Sequence, residues 1–136
     1  SIVNRTPRSA VAAAQLTSKP TRVVDPRNES EVAEAISGSR ILVNATSLGM
    51  GSPAQESVGF DDLPFDPEAL TPDHIVVDLV YHPLETPLLR AARRQGCRTV
   101  GGLGMLIHQA ALQQKIWTGH SPDIAAMARA AHRALN

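Results

Sequence analysis

Apolar, β-branched residues gather along this chain in short continuous runs: Ile2-Val3, Val23-Val24, Ile41-Leu42-Val43, Ile75-Val76-Val77 and Thr99-Val100. Continuous rather than alternating runs predict strands covered on both faces, as in a parallel sheet. Between them the spacing turns helical. Thr6-Pro7 sets a capping hydroxyl before a proline at the first helical position, and Ala10, Val11 and Ala14 follow on one face. Asn28 with Glu31 has the form of a capping box, closed by Gly38. Thr86-Pro87 repeats the cap-then-proline device, with Gly96 as the stop. Two longer helices follow. One runs from about Gly102 to Trp117; the other starts at Ser121-Pro122 and sets Ile124, Met127, Ala128, Ala131 and Leu135 on one side. Strand and helix in alternation predict an α/β fold, a parallel sheet with flanking helices and right-handed crossovers. The stretch from Met50 to Asp73 breaks the rhythm. Rich in Gly, Pro, Ser and Asp, it predicts a surface loop with a short helical turn near Pro67 to Leu70.

Composition narrows the function classes. A length of 136 residues suits one domain. Aromatics are 3% of the chain, so the core is aliphatic and base-stacking recognition of nucleic acid is disfavoured. A formal charge of zero argues against a general polyanion binder. The charges are unevenly spread, however. Residues 1–27 hold five basic side chains against Asp25 alone, and residues 56–85 hold eight acids and no Lys or Arg. That pattern fits either solvated faces of opposite sign or a local anion site near residue 5. Cys97 is the only cysteine, which excludes a disulfide framework within the chain. No apolar run approaches membrane-spanning length and no signal-peptide pattern is present, so the expectation is a cytoplasmic protein without membrane contact. The five histidines show no metal-ligand spacing, and no metal is expected.

In open parallel sheets, ligands lie beyond the carboxyl ends of the strands. The segments following the predicted strands are Asn4-Arg5-Thr6-Pro7-Arg8, Asn44-Ala45-Thr46-Ser47-Leu48-Gly49-Met50, Asp78-Leu79-Val80-Tyr81-His82-Pro83 and Gly101-Gly102-Leu103-Gly104-Met105. Each is polar, small or glycine-rich, as one shared crevice requires. Asp25 lies about where a ribose-binding acid would follow a first βαβ turn, but residues 4–10 contain no glycine. A backbone cradle for pyrophosphate needs glycine there. The segment suits a second strand end better, where the adenosine ribose is read. There Arg5 and Arg8 offer guanidinium forks that match phosphate oxygens, at a helix N-terminus whose dipole favours an anion.

Four strand-end motifs, "NRT" at 4–6, "NATSLGM" at 44–50, "DLVYHPLETPLL" at 78–89 and "GGLGMLIHQAAL" at 101–112, together resemble the shikimate dehydrogenase family in order and separation. The resemblance implies a Rossmann-like NADP-binding domain over residues 1–136. It also implies that the first strand, the glycine-rich loop and the substrate domain with its catalytic Lys–Asp pair fall outside this chain. By the same likeness, Asn4, Arg5, Thr6 and Arg8 would hold the 2′-phosphate of NADP. Ser9 stands where the family usually has a second cation. Asn44, Ala45, Thr46 and Ser47 would wrap the cofactor, with side chains bonded to it or to neighbouring loops. Leu79 and Val80 would lie under the nicotinamide. Gly102 would leave room for its carboxamide, with Met105 as an apolar wall. Tyr81 and Gln109 would meet the substrate, shikimate or 3-dehydroshikimate. Read without the family, Asn44 is also a capped strand exit, Tyr81 a buried ring and Gln109 a polar residue on a packed helix.

The implied reaction is hydride transfer between NADP(H) and a cyclic hydroxy acid, a step of aromatic amino acid biosynthesis, with residues 1–136 inactive by themselves. Two alternatives stay open: an NAD-using quinate/shikimate dehydrogenase, and a non-catalytic interaction module with a decayed cofactor site. A sheet lacking a strand and its covering helix is expected to self-associate, as a homodimer or otherwise.

Overall fold

A computed structural model describes residues 1–51, 63 and 65–135. Five short strands alternate with helices: β1 (Ile2–Val3), α1 (Pro7–Gln15), β2 (Val23–Val24), α2 (Glu29–Ser37), β3 (Ile41–Asn44), β4 (Ile75–Asp78), α3 (Pro87–Arg94), β5 (Arg98–Val100), α4 (Leu103–Thr118) and α5 (Ile124–Leu135). Every apolar run of the sequence became a strand. Of the expected Met50–Asp73 loop, residues 52–62 and 64 lie outside the described residues. Its helical turn is a 3₁₀ helix at Pro67–Ala69, started by the Asp66 carboxyl accepting the Glu68 N–H at 2.9 Å.

The parallel α/β architecture holds, but the strands form two sheets rather than one. β1 pairs with β2 in the register Ile2 to Val23, and β3, β4 and β5 pair in that order, with Ile41 opposite Ile75 and Ile75 opposite Arg98. Between β1 and β3 lies a cleft of about 190 Å³. Ser1 and Val3 line one side, Ile41 to Asn44 the other, and Val32, Ile36 and Leu88 also line it. Ser1 lies beside Gly38 and Ser39 at the entry of β3, and Val3 beside the cleft that Thr46 and Leu48 line at its exit. The two sheets therefore run the same way, with their carboxyl ends on one side.

One hydrophobic core spans both sheets. Val24, Val32, Ile36, Leu70, Val76, Leu88, Ala92 and Cys97 pack together, with Leu42 and Phe65 against them. α3 shows why it folds. Thr86 accepts the Leu89 N–H, Pro87 starts the first turn, and Leu88, Leu89, Ala91 and Ala92 turn inward. Arg93 and Arg94 close its last turn, where cations complement the dipole. α2 is started by Asn28, whose side chain accepts the Glu31 N–H and donates to the Glu31 carboxyl at 2.9 Å. α4 ends at Gly119, with φ of 73°.

Two expectations need correction. In α1 the buried residue is Ala10, while Val11 is exposed. With Ala10 inward, a 100° step turns its neighbour away. The strands are also not covered on both faces. Leu42 and Val76 lie under α2 and α3, but Ile41 is 57% and Val43 55% exposed, and Val100 is exposed too. Their β-branched side chains form an apolar strip that none of the described residues covers.

Candidate functional site

The carboxyl ends of the strands carry the four motifs, and each is built differently. At the end of β1, Asn4 Oδ1 accepts the Thr6 N–H at 2.8 Å and turns the chain into α1. Thr6 is the N-cap residue, but its hydroxyl makes no capping bond. Arg5 and Arg8 are exposed and form no ion pair among the described residues, whereas Arg22 is held by Glu34 at 2.7 Å and Arg27 by Asp25 at 2.6 Å. The two arginines stand beside the helix N-terminus, whose dipole adds to their positive charge. Asp25 has the other fate. The hydrogen bonds from Arg27 hold its carboxyl down at about 2, and the two form an exposed ion pair.

After β3, Asn44 organises its own loop. Its Oδ1 accepts the Thr46 N–H at 3.0 Å and the Thr46 hydroxyl at 2.7 Å; its Nδ2 donates to Leu48 O at 3.2 Å and Asp78 Oδ1 at 2.9 Å. Thr46 Oγ1 in turn accepts the Leu48 N–H at 3.1 Å. Asn44 alone therefore ties this turn to the neighbouring loop, through Asp78, while Thr46 bonds within the turn; Ala45, Thr46 and Ser47 are all exposed. Gly49, at φ of 83°, allows the loop to turn back.

After β4, Val80 is 1% exposed, so its side chain belongs to the core and it reaches the site by its backbone. Leu79 is half-buried, and Tyr81 is 37% exposed rather than a buried ring. Nδ1 of His82 is buried without a hydrogen-bond partner among the described atoms.

After β5 comes a close approach that the sequence did not suggest. A Cβ on Gly102 would lie 2.3 Å from Leu79 O and 2.7 Å from Val80 O, and the Gly102 N–H donates to Val80 O at 3.2 Å. Glycine at this position lets the start of α4 rest on the β4 loop, a reason distinct from making room for a ligand. At Gly101, where the family pattern often has Asp, a Cβ would find only ordinary contacts at 3.6 Å and beyond. Met105 and Gln109 are exposed on one face of α4, opposite buried Leu103, Ile107 and Ala111. The start of α4, which carries Met105 and, two turns from Gly102, Gln109, is joined to the loop that carries Tyr81 by the Gly102–Val80 bond.

Sequence reasoning missed Asp78 and Thr86 as site elements. Both are fully buried, and the Thr86 hydroxyl donates to Asp78 Oδ2 at 2.5 Å. The available signal was a strand-terminal acid followed, within one motif, by a helix-capping threonine. No group of three or more metal-ligating side chains occurs among the described residues, and no described helix is long and apolar enough to cross a membrane.

Parallel strands joined through helices, with polar and small-residue loops at their carboxyl ends beside a cleft, define a Rossmann-like α/β fold. The comparisons agree. The family described as the Shikimate 5'-dehydrogenase C-terminal domain matches residues 102–132. The Shikimate dehydrogenase (NADP(+)) of Mesorhizobium japonicum is 45% identical over 130 residues, 95% of this chain and 42% of that protein. That of Archaeoglobus fulgidus is 46% identical over 96 residues, 70% of this chain and 33% of that protein. Among solved structures, the quinate dehydrogenase from Corynebacterium glutamicum in complex with NAD superposes with a TM-score of 0.80 at 35% identity, covering 98% of this chain and 45% of that one. The shikimate 5-dehydrogenase from Thermus thermophilus in complex with NADP(H) and shikimate gives a TM-score of 0.73 at 38% identity, with the same coverages. The chain belongs to the shikimate dehydrogenase family. It spans between 30% and 44% of the length of the curated relatives it matches.

Proposed function

We propose that residues 1–136 form the NADP-binding side of a shikimate dehydrogenase, which interconverts 3-dehydroshikimate and shikimate in aromatic amino acid biosynthesis. The observation that carries this reading is the Asn4–Arg8 corner, where two guanidinium groups without ion-pair partners among the described residues flank the N-terminus of α1. These residues fit a 2′-phosphate, since both charge and donor geometry match its oxygens.

NADP(H), when bound, supplies the hydride donor or acceptor. The chain's own residues do the rest. Arg5 and Arg8 neutralise the phosphate, and Thr6 offers its hydroxyl. The Asn44–Thr46 bonds hold the turn so that Ala45 and Ser47 can meet the cofactor closely. Leu79 and Met105 give an apolar surface that keeps water from the ring. The Tyr81 hydroxyl and Gln109 amide orient the substrate hydroxyls. Protonation of the forming alkoxide is assigned to the family's Lys–Asp pair, outside residues 1–136. By this reading residues 1–136 bind cofactor and do not turn substrate over by themselves. The uncovered strip of Ile41, Val43 and Val100 leads us to expect self-association of the isolated chain, read as a mass above the monomer in light scattering. The free, buried thiol of Cys97 suits a reducing cytoplasm.

Amide NMR titration, which reads weak dissociation constants, tests the reading. NADP+ is expected to bind more tightly than NAD+, and Arg5→Ala to cost about tenfold in NADP+ affinity while leaving NAD+ nearly unchanged. Equal binding of the two nucleotides by the parent chain, with no effect of Arg5→Ala, would reject it. Ser9 favours a second reading, an NAD-using quinate/shikimate dehydrogenase, in keeping with the NAD complex among the structural relatives. Tighter binding of NAD+ would select it. Binding of neither nucleotide would select the non-catalytic module.

A further inference from the structure

The loops at the ends of β3, β4 and β5 share one anchor. Asp78, the last residue of β4, is 0% exposed, and its carboxyl group accepts from three separate segments. Oδ1 takes Asn44 Nδ2 at 2.9 Å and the Val80 N–H at 3.0 Å; Oδ2 takes the Thr86 hydroxyl at 2.5 Å. Asn44 opens the turn after β3, Val80 lies in the loop after β4, and Thr86 caps α3. Two backbone bonds extend the set. The Leu79 N–H donates to Asn44 O at 3.0 Å, and the Gly102 N–H donates to Val80 O at 3.2 Å, which carries the linkage to the first turn of α4.

A buried carboxyl group is a poor device for stability. Apolar replacements of buried ionic groups are often neutral or stabilising, because desolvation opposes the attraction. What a saturated, directional hub supplies is fixed separation between the groups it holds. The groups held here are the turn carrying Ala45 and Ser47, the segment carrying Leu79 and Tyr81, and, through Val80, the helix carrying Met105 and Gln109. Among the described residues, no hydrogen bond joins the Asn4–Arg8 corner to the hub.

We propose that Asp78 is a positioning residue for one half of the dinucleotide site: it sets the nicotinamide-side loops relative to each other and leaves the phosphate corner on β1 and α1 independent. This rests on the dinucleotide reading of the cleft. The role predicts a split that general loss of stability would not produce. The probes are NADP+ and 2′,5′-ADP, the adenosine half with its phosphate, titrated into the 136-residue chain by amide NMR.

For Asp78→Asn, we expect 2′,5′-ADP affinity within about twofold of the parent and NADP+ affinity lowered about tenfold, the scale of one lost charge-assisted hydrogen bond. Thr86→Ser keeps the hydroxyl and should bind NADP+ as the parent does, whereas Thr86→Val should follow Asp78→Asn. Equal losses on both probes, or no loss on NADP+, would overturn the positioning role while the dinucleotide reading stands. Failure of the parent chain to bind either probe would overturn both. Should Asp78→Asn lose its circular dichroism, the Thr86→Ser and Thr86→Val pair decides by the same split.

Discussion

The β1–α1–β2 unit and the β4–α3–β5 unit of the second sheet are written in the same strand–helix–strand pattern, yet they are built to different depths. The first has strands of two residues, and its helix buries one alanine, Ala10. The second has strands of up to four residues, a helix burying Leu88, Leu89, Ala91 and Ala92, and the Asp78–Thr86–Asn44 network at its carboxyl end. Burying a leucine or valine contributes roughly 1.5–3 kcal/mol, and an alanine far less. The arginines proposed to hold phosphate thus stand on the thinner unit, and the nicotinamide-side loops on the stiffer one. A charged anchor needs only a helix end and two free cations. A reacting ring needs surroundings fixed to a fraction of an ångström.

The largest effect that could break this contrast is in α3. Leu89→Ala should cost about 3 kcal/mol in urea unfolding, by lost transfer energy and the cavity left behind. Ala10→Gly, its counterpart in α1, should cost only about 1 kcal/mol. Amides of β1 and β2 should exchange hydrogen faster than those of β4. Comparable losses at the two positions would remove the distinction.

Gly102→Ala comes next. A methyl 2.3 Å from Leu79 O must push α4 off the β4 loop, with an expected destabilisation of about 2 kcal/mol and altered amide shifts at Leu79 and Val80. Gly101→Ala, one residue earlier, meets ordinary contacts and should leave unfolding nearly unchanged. That pair separates close backbone approach from simple loss of a glycine.

The smallest effect belongs to Asp25. Arg27 holds its carboxyl at about 2, below the ordinary 3.8. A depressed folded-state value means the contribution to stability is present above pH 3.8 and is lost as pH falls from there through about 2. Carbon NMR of the Asp25 carboxyl should give a midpoint near 2, and Arg27→Ala should return it toward 3.8 with little change in stability at neutral pH, since the pair is exposed.

Much of this was legible from residue order. The runs at Ile2, Val23, Ile41, Ile75 and Thr99 became the five strands, and Asn28, Thr86 and Pro87 capped or started the helices they announced. These signals are local: a cap or a β-branched run acts within a few residues. The exposure of Val43 was not legible, since a β-branched run reads the same whether one face or both are covered. Nor was the fate of individual arginines. Among the described residues Arg22 and Arg27 find carboxylates while Arg5 and Arg8 do not, which depends on where α2 and the turn at Asp25 bring their acids.

The sequence by itself determined the strands, the helices and their caps, and the polar or glycine-rich character of each strand end, because these follow from backbone preference and short-range spacing. Only the tertiary structure decided that the strands divide into two sheets, that Gly102 bears directly on Leu79 and Val80, and that Asp78 joins Asn44 to Thr86. Asn44 and Asp78 are 34 residues apart in the chain and 2.9 Å apart in space. Pairing β3 with β4 in parallel brings them together, and a contact of that kind has no trace in the spacing of either residue.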